Sequence, residues 1–206
     1  MSTGNADTVA PLRDFVVEMT KLVNLETKEN KLLSEGTGLL KNLIKTDSWL
    51  PEFCTIPHPE FYQQFLLHAD PLGKFSVVSF VWGPGQKTPI HDHCVWGLIG
   101  MLRGMEKGQR YKQLPSGELI QDGPETLLCP GDIEAVSPTI GDIHVVSNAV
   151  PDQTSISIHV YGANIGAVKR HTYDPSTGKP KNFVSGYSSK QIPNLWDRSA
   201  EVRATL

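Results

Sequence analysis

Gly83-Pro84-Gly85-Gln86-Lys87-Thr88-Pro89-Ile90-His91-Asp92-His93, running on through Val95-Trp96-Gly97 to Gly104, decides how this chain is read. A Gly/Pro turn leads into an H-x-H pair, and an apolar run follows. Residues i and i+2 of a strand point to one face, so the spacing predicts that His91 and His93 project together. Two converging imidazoles make half of a transition-metal site. Two solvated histidines beside a turn would show the same spacing, so the wider context has to decide.

Outward from that stretch the texture is β. Short β-branched and aromatic runs cover Phe75 to Trp82, Val95 to Leu102, Gln109 to Leu114, Ile133 to Val136, His144 to Ser147 and Ser155 to Tyr161. Pro115-Ser116-Gly117, Asp122-Gly123-Pro124 and Pro130-Gly131-Asp132 punctuate them. Many short strands so spaced predict an all-β barrel or sandwich, jelly rolls included. The beginning of the chain differs. Leu12, Phe15, Val16, Met19, Leu22 and Val23 recur at helical spacing, and Leu33, Leu39, Leu40, Leu43 and Ile44 form a second such face. Gly36 and Gly38 weaken that second helix, at about 1 kcal/mol each. The expected organisation is one domain: a helical lead-in over 1–58, a β-barrel over 59–173 and a polar wrapping tail over 174–206.

A second histidine set lies downstream, where Gly131, Pro138, Gly141, His144 and Asn148 end in H-x-x-x-N. Together with Gly85, His91, His93 and Gly104 it resembles the cupin superfamily, whose two motifs read G-x5-H-x-H-x3-4-E-x6-G and G-x5-P-x-G-x2-H-x3-N. The resemblance implies a jelly-roll-like barrel with His91, His93 and His144 on one metal. One position departs from the pattern: Gly97 stands where the motif has glutamate. Three neutral imidazoles without that carboxylate leave the metal charge uncompensated and its far side open, which favours an anionic substrate binding directly beside O2.

Ser157-Ile158-His159-Val160-Tyr161 adds an S-x-H-x-Y pattern, and alternation places its serine, histidine and tyrosine on one face. Beside the tri-histidine motif, this resembles the thiol dioxygenases, the cysteine dioxygenase and 3-mercaptopropionate dioxygenase group. The resemblance covers roughly Phe61 to Arg170. It implies Fe(II), a small thiol carboxylate and O2 as substrates, and a tyrosine, Tyr161, oriented by His159 and Ser157. Gly97 also holds the position of the cysteine that crosslinks to tyrosine in animal-type members, so no crosslink is expected. Where those members place a carboxylate-binding arginine, Tyr62-Gln63-Gln64 aligns Gln64. This resembles the bacterial glutamine-type branch, associated with 3-mercaptopropionate, in which an arginine beyond the tyrosine binds the carboxylate; Arg170 is the candidate. A guanidinium suits that task because its planar fork binds carboxylate through two hydrogen bonds. L-Cysteine and 3-mercaptopropionate both remain open as substrates. Trp82 and Trp96 read as barrel core, and His58, His68 and His171 as surface or internally satisfied histidines.

Composition narrows the class. The 206 residues carry a formal net charge of −3 and no long Lys/Arg run, which argues against nucleic-acid and anionic-membrane surfaces. No apolar stretch approaches the roughly 20 residues of a membrane span. Met1 to Asp7 lacks the basic and apolar regions of a signal peptide, and the 3 cysteines, Cys54, Cys94 and Cys129, show no C-x-x-C pairing. A reducing, cytoplasmic setting is expected. Two rivals stand beside the thiol dioxygenase reading: a cupin dioxygenase acting on a carbon acid or enediol, and a non-catalytic cupin that senses or stores a ligand. Neither requires the Ser157/His159/Tyr161 pattern.

Overall fold

The computed structural model describes residues 9–189 and 199–206. Two helices come first, α1 (Ala10–Leu25) and α2 (Glu29–Leu43), with Pro11 in the first turn of α1, where its missing N–H costs nothing. Twelve strands follow, named in chain order: β1 (Gln63–Ala69), β2 (Ser76–Trp82), β3 (Ile90–His91), β4 (Gly97–Arg103), β5 (Glu106–Gln113), β6 (Leu119–Gln121), β7 (Thr126–Leu128), β8 (Ile133–Val136), β9 (Ile143–Asn148), β10 (Ser155–Tyr161), β11 (Arg170–Tyr173) and β12 (Pro180–Phe183). A short α3 (Ser199–Arg203) lies in the last described segment.

The strands form two antiparallel sheets, one ordered β1-β2-β10-β4-β8 and the other β12-β11-β3-β9-β5-β6, with β7 also on β5. From β2 to β5, and again from β8 to β11, the chain passes from one sheet to the other at each connection. That alternation winds the chain as a double-stranded β-helix, the cupin barrel that the sequence predicts.

Both faces of the first sheet are covered, which explains why every residue of β2 and β10 is buried. Val77 and Val81 of β2, with Ile156, Ile158 and Val160 of β10, pack against Met19, Leu40 and Leu43 of the helices. Each fully buried aliphatic side chain contributes about 1.5–3 kcal/mol. The alternate residues, Val78, Phe80 and Trp82, turn the other way and meet Val146 of the second sheet, together with Tyr161. The polar residues of β10 thus face the barrel interior, where an apolar core would otherwise sit.

Gly36 turns out to serve a purpose in α2. A Cβ there would lie 2.9 Å from Leu98 Cδ1, so its absence lets the helix settle onto β4. Strand boundaries differ in places from the sequence expectation: β4 starts at Gly97 and β5 at Glu106. Within the expected tail, β12 pairs with β11 from Arg170↔Phe183 to Tyr173↔Pro180, and Ser188 N–H donates to the Gln64 carbonyl at 2.7 Å. Among the described residues no helix is long and apolar enough to cross a membrane.

Candidate metal centre

His91 ends β3 directly opposite His144 on β9, so the pairing of two strands brings their rings to 4.8 Å. His93 arrives differently from expectation. The strand stops at His91, and strand alternation does not carry His93 to the same face. A carboxylate does so instead. Asp142 Oδ2 accepts the backbone N–H groups of His93 and Cys94 at 3.0 and 2.9 Å, while Oδ1 lies 2.8 Å from His93 Nδ1. Cys94 takes a left-handed turn, φ 59°, that lets both amides converge on one oxygen. The thiol is exposed and directed at Asp92 Oδ1, 3.5 Å away, and so plays no part inside the barrel.

With Nδ1 of His93 donating to Asp142, its Nε2 is left as the ligand atom, and His91 Nδ1 is likewise engaged, 3.1 Å from the Pro89 carbonyl. Each of His91, His93 and His144 offers one ring nitrogen within 4.8 Å of the others. All three rings are buried, and burial lowers their pKa values, His91 to about 4 and the other two well below the usual imidazole range. Neutral imidazoles carry the lone pairs that a metal requires. His144 Nδ1 is buried without a hydrogen-bond partner. This donor set fits a divalent transition metal, and no carboxylate belongs to the group.

From the opposite sheet, β10 presents the polar series. Ser157 Oγ lies 2.8 Å from His159 Nε2, and His159 Nδ1 lies 2.7 Å from the Tyr161 hydroxyl. Phe80 stacks on His159 with centroids 4.0 Å apart, which locks the imidazole plane. Burial drops the His159 pKa to about 3 and raises that of Tyr161, so both stay neutral near pH 7. The Tyr161 ring stacks against His93 at 5.3 Å and lines the same cavity as the three imidazoles.

A cavity of about 150 Å³ joins these groups. His91, His93, His144 and Tyr161 form one side; Gln64 of β1 and Arg170 of β11 also line it. Arg170 is 3% exposed, donates from one terminal nitrogen to Ser185 Oγ at 2.7 Å and lies 4.7 Å over the Phe183 ring. It makes no ion pair with a described acidic side chain, and its Nε has no partner. Burial accordingly lowers its pKa. No Asp or Glu is among the described residues lining the cavity. Trp82, read from the sequence as core alone, is both core and cavity wall.

Three acids escaped the sequence reading. Asp142, just upstream of His144, orients His93. Asp92, between the two metal-ligand candidates, accepts from the His171 backbone N–H at 2.7 Å and from the Tyr173 hydroxyl at 2.8 Å, and lies 2.8 Å from His171 Nδ1. Glu106, at the start of β5, is buried behind Ser157. A carboxylate inside or just before a metal-binding motif was the available signal for the first two.

No protein-family profile matches the chain. It is 27% identical over 124 residues to cysteine dioxygenase type 1 of Bos taurus, covering 57% of this chain and 58% of that protein. Against cysteine dioxygenase type 1 of Homo sapiens it is 27% identical over 138 residues, covering 63% and 66%. The matches thus span 58% to 66% of these relatives' length. Similar solved structures include a protein with a double-stranded beta-helix domain from Klebsiella pneumoniae, at 20% identity, 56% and 89% coverage and TM-score 0.44. A cupin superfamily protein from Desulfitobacterium hafniense aligns at 12% identity, 53% and 84% coverage and TM-score 0.41.

Proposed function

We propose that this protein is an iron-dependent thiol dioxygenase that converts a small thiol acid and O2 into the sulfinate. The observation that carries the reading is one cavity shared by three neutral imidazoles, a buried guanidinium without a carboxylate partner and a neutral phenol hydroxyl. The sequence similarity to proteins named cysteine dioxygenase supports it.

Iron(II), held by His91, His93 and His144, would supply the one-electron chemistry with O2 that amino-acid side chains lack. The chain's own residues do the rest. Arg170 binds the substrate carboxylate, and a buried cation without an internal counter-charge gains most from an anion. Gln64 adds a neutral hydrogen-bonding edge to the same end. Tyr161, held by His159 and Ser157, keeps a hydroxyl over the reacting end, while Phe80 and Trp82 exclude water. Both oxygen atoms end on sulfur, which supplies all the electrons, so no external reductant is required.

The preferred substrate is 3-mercaptopropionate. L-Cysteine brings an ammonium group, and the cavity lining offers it no carboxylate. A thiol acid without the amine needs only the thiolate and carboxylate partners already present. The test is anaerobic Fe(II) loading, followed by O2 uptake with a panel of thiols and mass analysis of the product. A sulfinate formed one-to-one with O2 is expected; metal-loaded protein that consumes no O2 with any small thiol refutes the reading.

A further inference from the structure

Glu106 is 0% exposed, and neither of its carboxyl oxygens has a hydrogen-bond partner. A buried carboxyl in that state is costly, and such groups persist where they do something. The groups acting on it are the Ser157 and Ser155 hydroxyls and the Trp82 indole N–H. Neither carboxyl oxygen is hydrogen-bonded to them, and the Trp82 indole N–H donates to Ser157 Oγ at 3.5 Å. Ser155 Oγ is itself unpartnered. Ser157 is the far end of the Ser157–His159–Tyr161 chain and accepts from the Trp82 indole, so its own hydroxyl proton is left to point at His159 or at Glu106.

We propose that Glu106 is the terminus of this chain and a positioning residue: the presence or absence of its proton sets the direction of every hydrogen bond as far as Tyr161. The logic follows from donor and acceptor counts. A protonated Glu106 donates to Ser157 Oγ. Ser157 then donates to His159 Nε2, so neutral His159 carries its proton on Nδ1 and donates to the Tyr161 oxygen. The phenol proton is left free to point into the cavity. An ionised Glu106 accepts from Ser157, and the whole series reverses. His159 becomes the Nε2–H tautomer, Nδ1 accepts the phenol proton, and Tyr161 presents only lone pairs to the cavity.

Both states are reachable near neutrality, because burial pushes Glu106 up to about 8. No charged side chain opposes or assists it. Ser155, Ser157 and Trp82 are neutral, and the residues paired with it across the sheet are Leu128 and Asn148. His159 and Tyr161 are the next titratable groups, both held neutral by burial. Coupling also runs the other way, since negative charge on Glu106 acts to raise the Tyr161 pKa.

For turnover the inference rests on the proposed function, but the tautomer does not. The first measurement is therefore ¹⁵N-histidine NMR on the metal-free full chain. His159 should be the Nδ1–H tautomer below the Glu106 transition and the Nε2–H tautomer above it. The infrared carbonyl band of a protonated buried carboxyl should vanish over the same pH range. Glu106→Gln, nearly isosteric, should hold one tautomer at every pH. A swap that persists in Glu106→Gln, a wild type with a single tautomer throughout, or a swap out of step with the infrared band each overturn the proposal. The infrared comparison needs only wild-type protein and decides the matter if the variant does not fold. In the iron-loaded enzyme, Glu106→Gln should remove the alkaline fall in kcat while leaving KM for the thiol acid unchanged. If no thiol is oxidised at all, the functional reading fails while the tautomer result stands.

Discussion

Gly97 and Tyr161 face each other across β4 and β10, and a Cβ on Gly97 would lie 2.8 Å from Tyr161 Cδ1. The ring of Tyr161 occupies the space that a side chain at position 97 would need. A glutamate ligand at Gly97 is therefore incompatible with the tyrosine where it stands. Gly97→Ala should displace Tyr161 and disturb its contact with His159. The expected result is retained metal with a clear loss of kcat, checked by metal analysis beside steady-state kinetics. Wild-type kcat in that variant would show that the ring has room to spare.

Tyr161→Phe removes the hydroxyl and keeps the packing. Metal content should be unchanged, while turnover slows or O2 use uncouples from sulfinate formation. Loss of one hydrogen-bonding group in a closed site costs about 2–4 kcal/mol of barrier. The check is the ratio of sulfinate formed to O2 consumed. Intact-mass analysis of the wild type should also show no thioether on Tyr161, since Gly97 offers no sulfur.

Asp142 holds one ligand ring and two amides, so Asp142→Asn should weaken metal binding without removing a ligand. Replacing a carboxylate that orients a metal-bound histidine typically costs about 10–100-fold in affinity. Competition with a metal chelator measures it. His144→Ala, by contrast, should nearly abolish metal content.

Arg170→Ala should lower kcat/KM for 3-mercaptopropionate by roughly ten- to a hundred-fold, the size of a lost charge-assisted hydrogen bond of about 1.5–3 kcal/mol. The wild type should show a larger kcat/KM for 3-mercaptopropionate than for L-cysteine. Better turnover of cysteine, together with a silent Arg170→Ala, would overturn the assignment of the carboxylate site.

Glu106 also shapes stability. Its folded pKa, about 8, stands above the ordinary 4.5, so the native state holds a proton that the unfolded chain releases. The contribution is complete below the unfolded pKa and is lost as pH rises toward the folded value. Thermal denaturation of the wild type should show Tm falling across that window. Glu106→Gln should lose this part of the pH dependence and be the more stable protein at its alkaline end.

Much of the fold was legible because β10 alternates cleanly and β2 is a short, almost wholly apolar run. Ile156, Ile158 and Val160 face the helices while Ser157, His159 and Tyr161 face inward, and period-two patterning of that kind survives in a single sequence. The three histidines stood out by motif spacing rather than by alternation, since His93 lies beyond the end of β3. Other parts were hidden. β3, β6 and β7 are three residues or shorter and carry no measurable periodicity. Glu106 stands in Glu106-Lys107-Gly108-Gln109, a run that reads as solvated surface, and only the approach of β10 and β2 from elsewhere in the chain buries it. Asp142 looks like a turn residue until Cys94 bends the backbone toward it.

Asp92 fastens β11 to β3. It accepts from the His171 amide and the Tyr173 hydroxyl, and the His171 carbonyl accepts its own N–H at 3.1 Å. The strands that carry Arg170 and His91 are thus riveted together, and Ser185 and the Phe183 ring hold the guanidinium at its end of the cavity. A cavity built this way works as a calliper. Under the proposed function it would gauge the length of a thiol acid bridging its two jaws, and Asp92, the pin that fixes its opening, does not line the cavity.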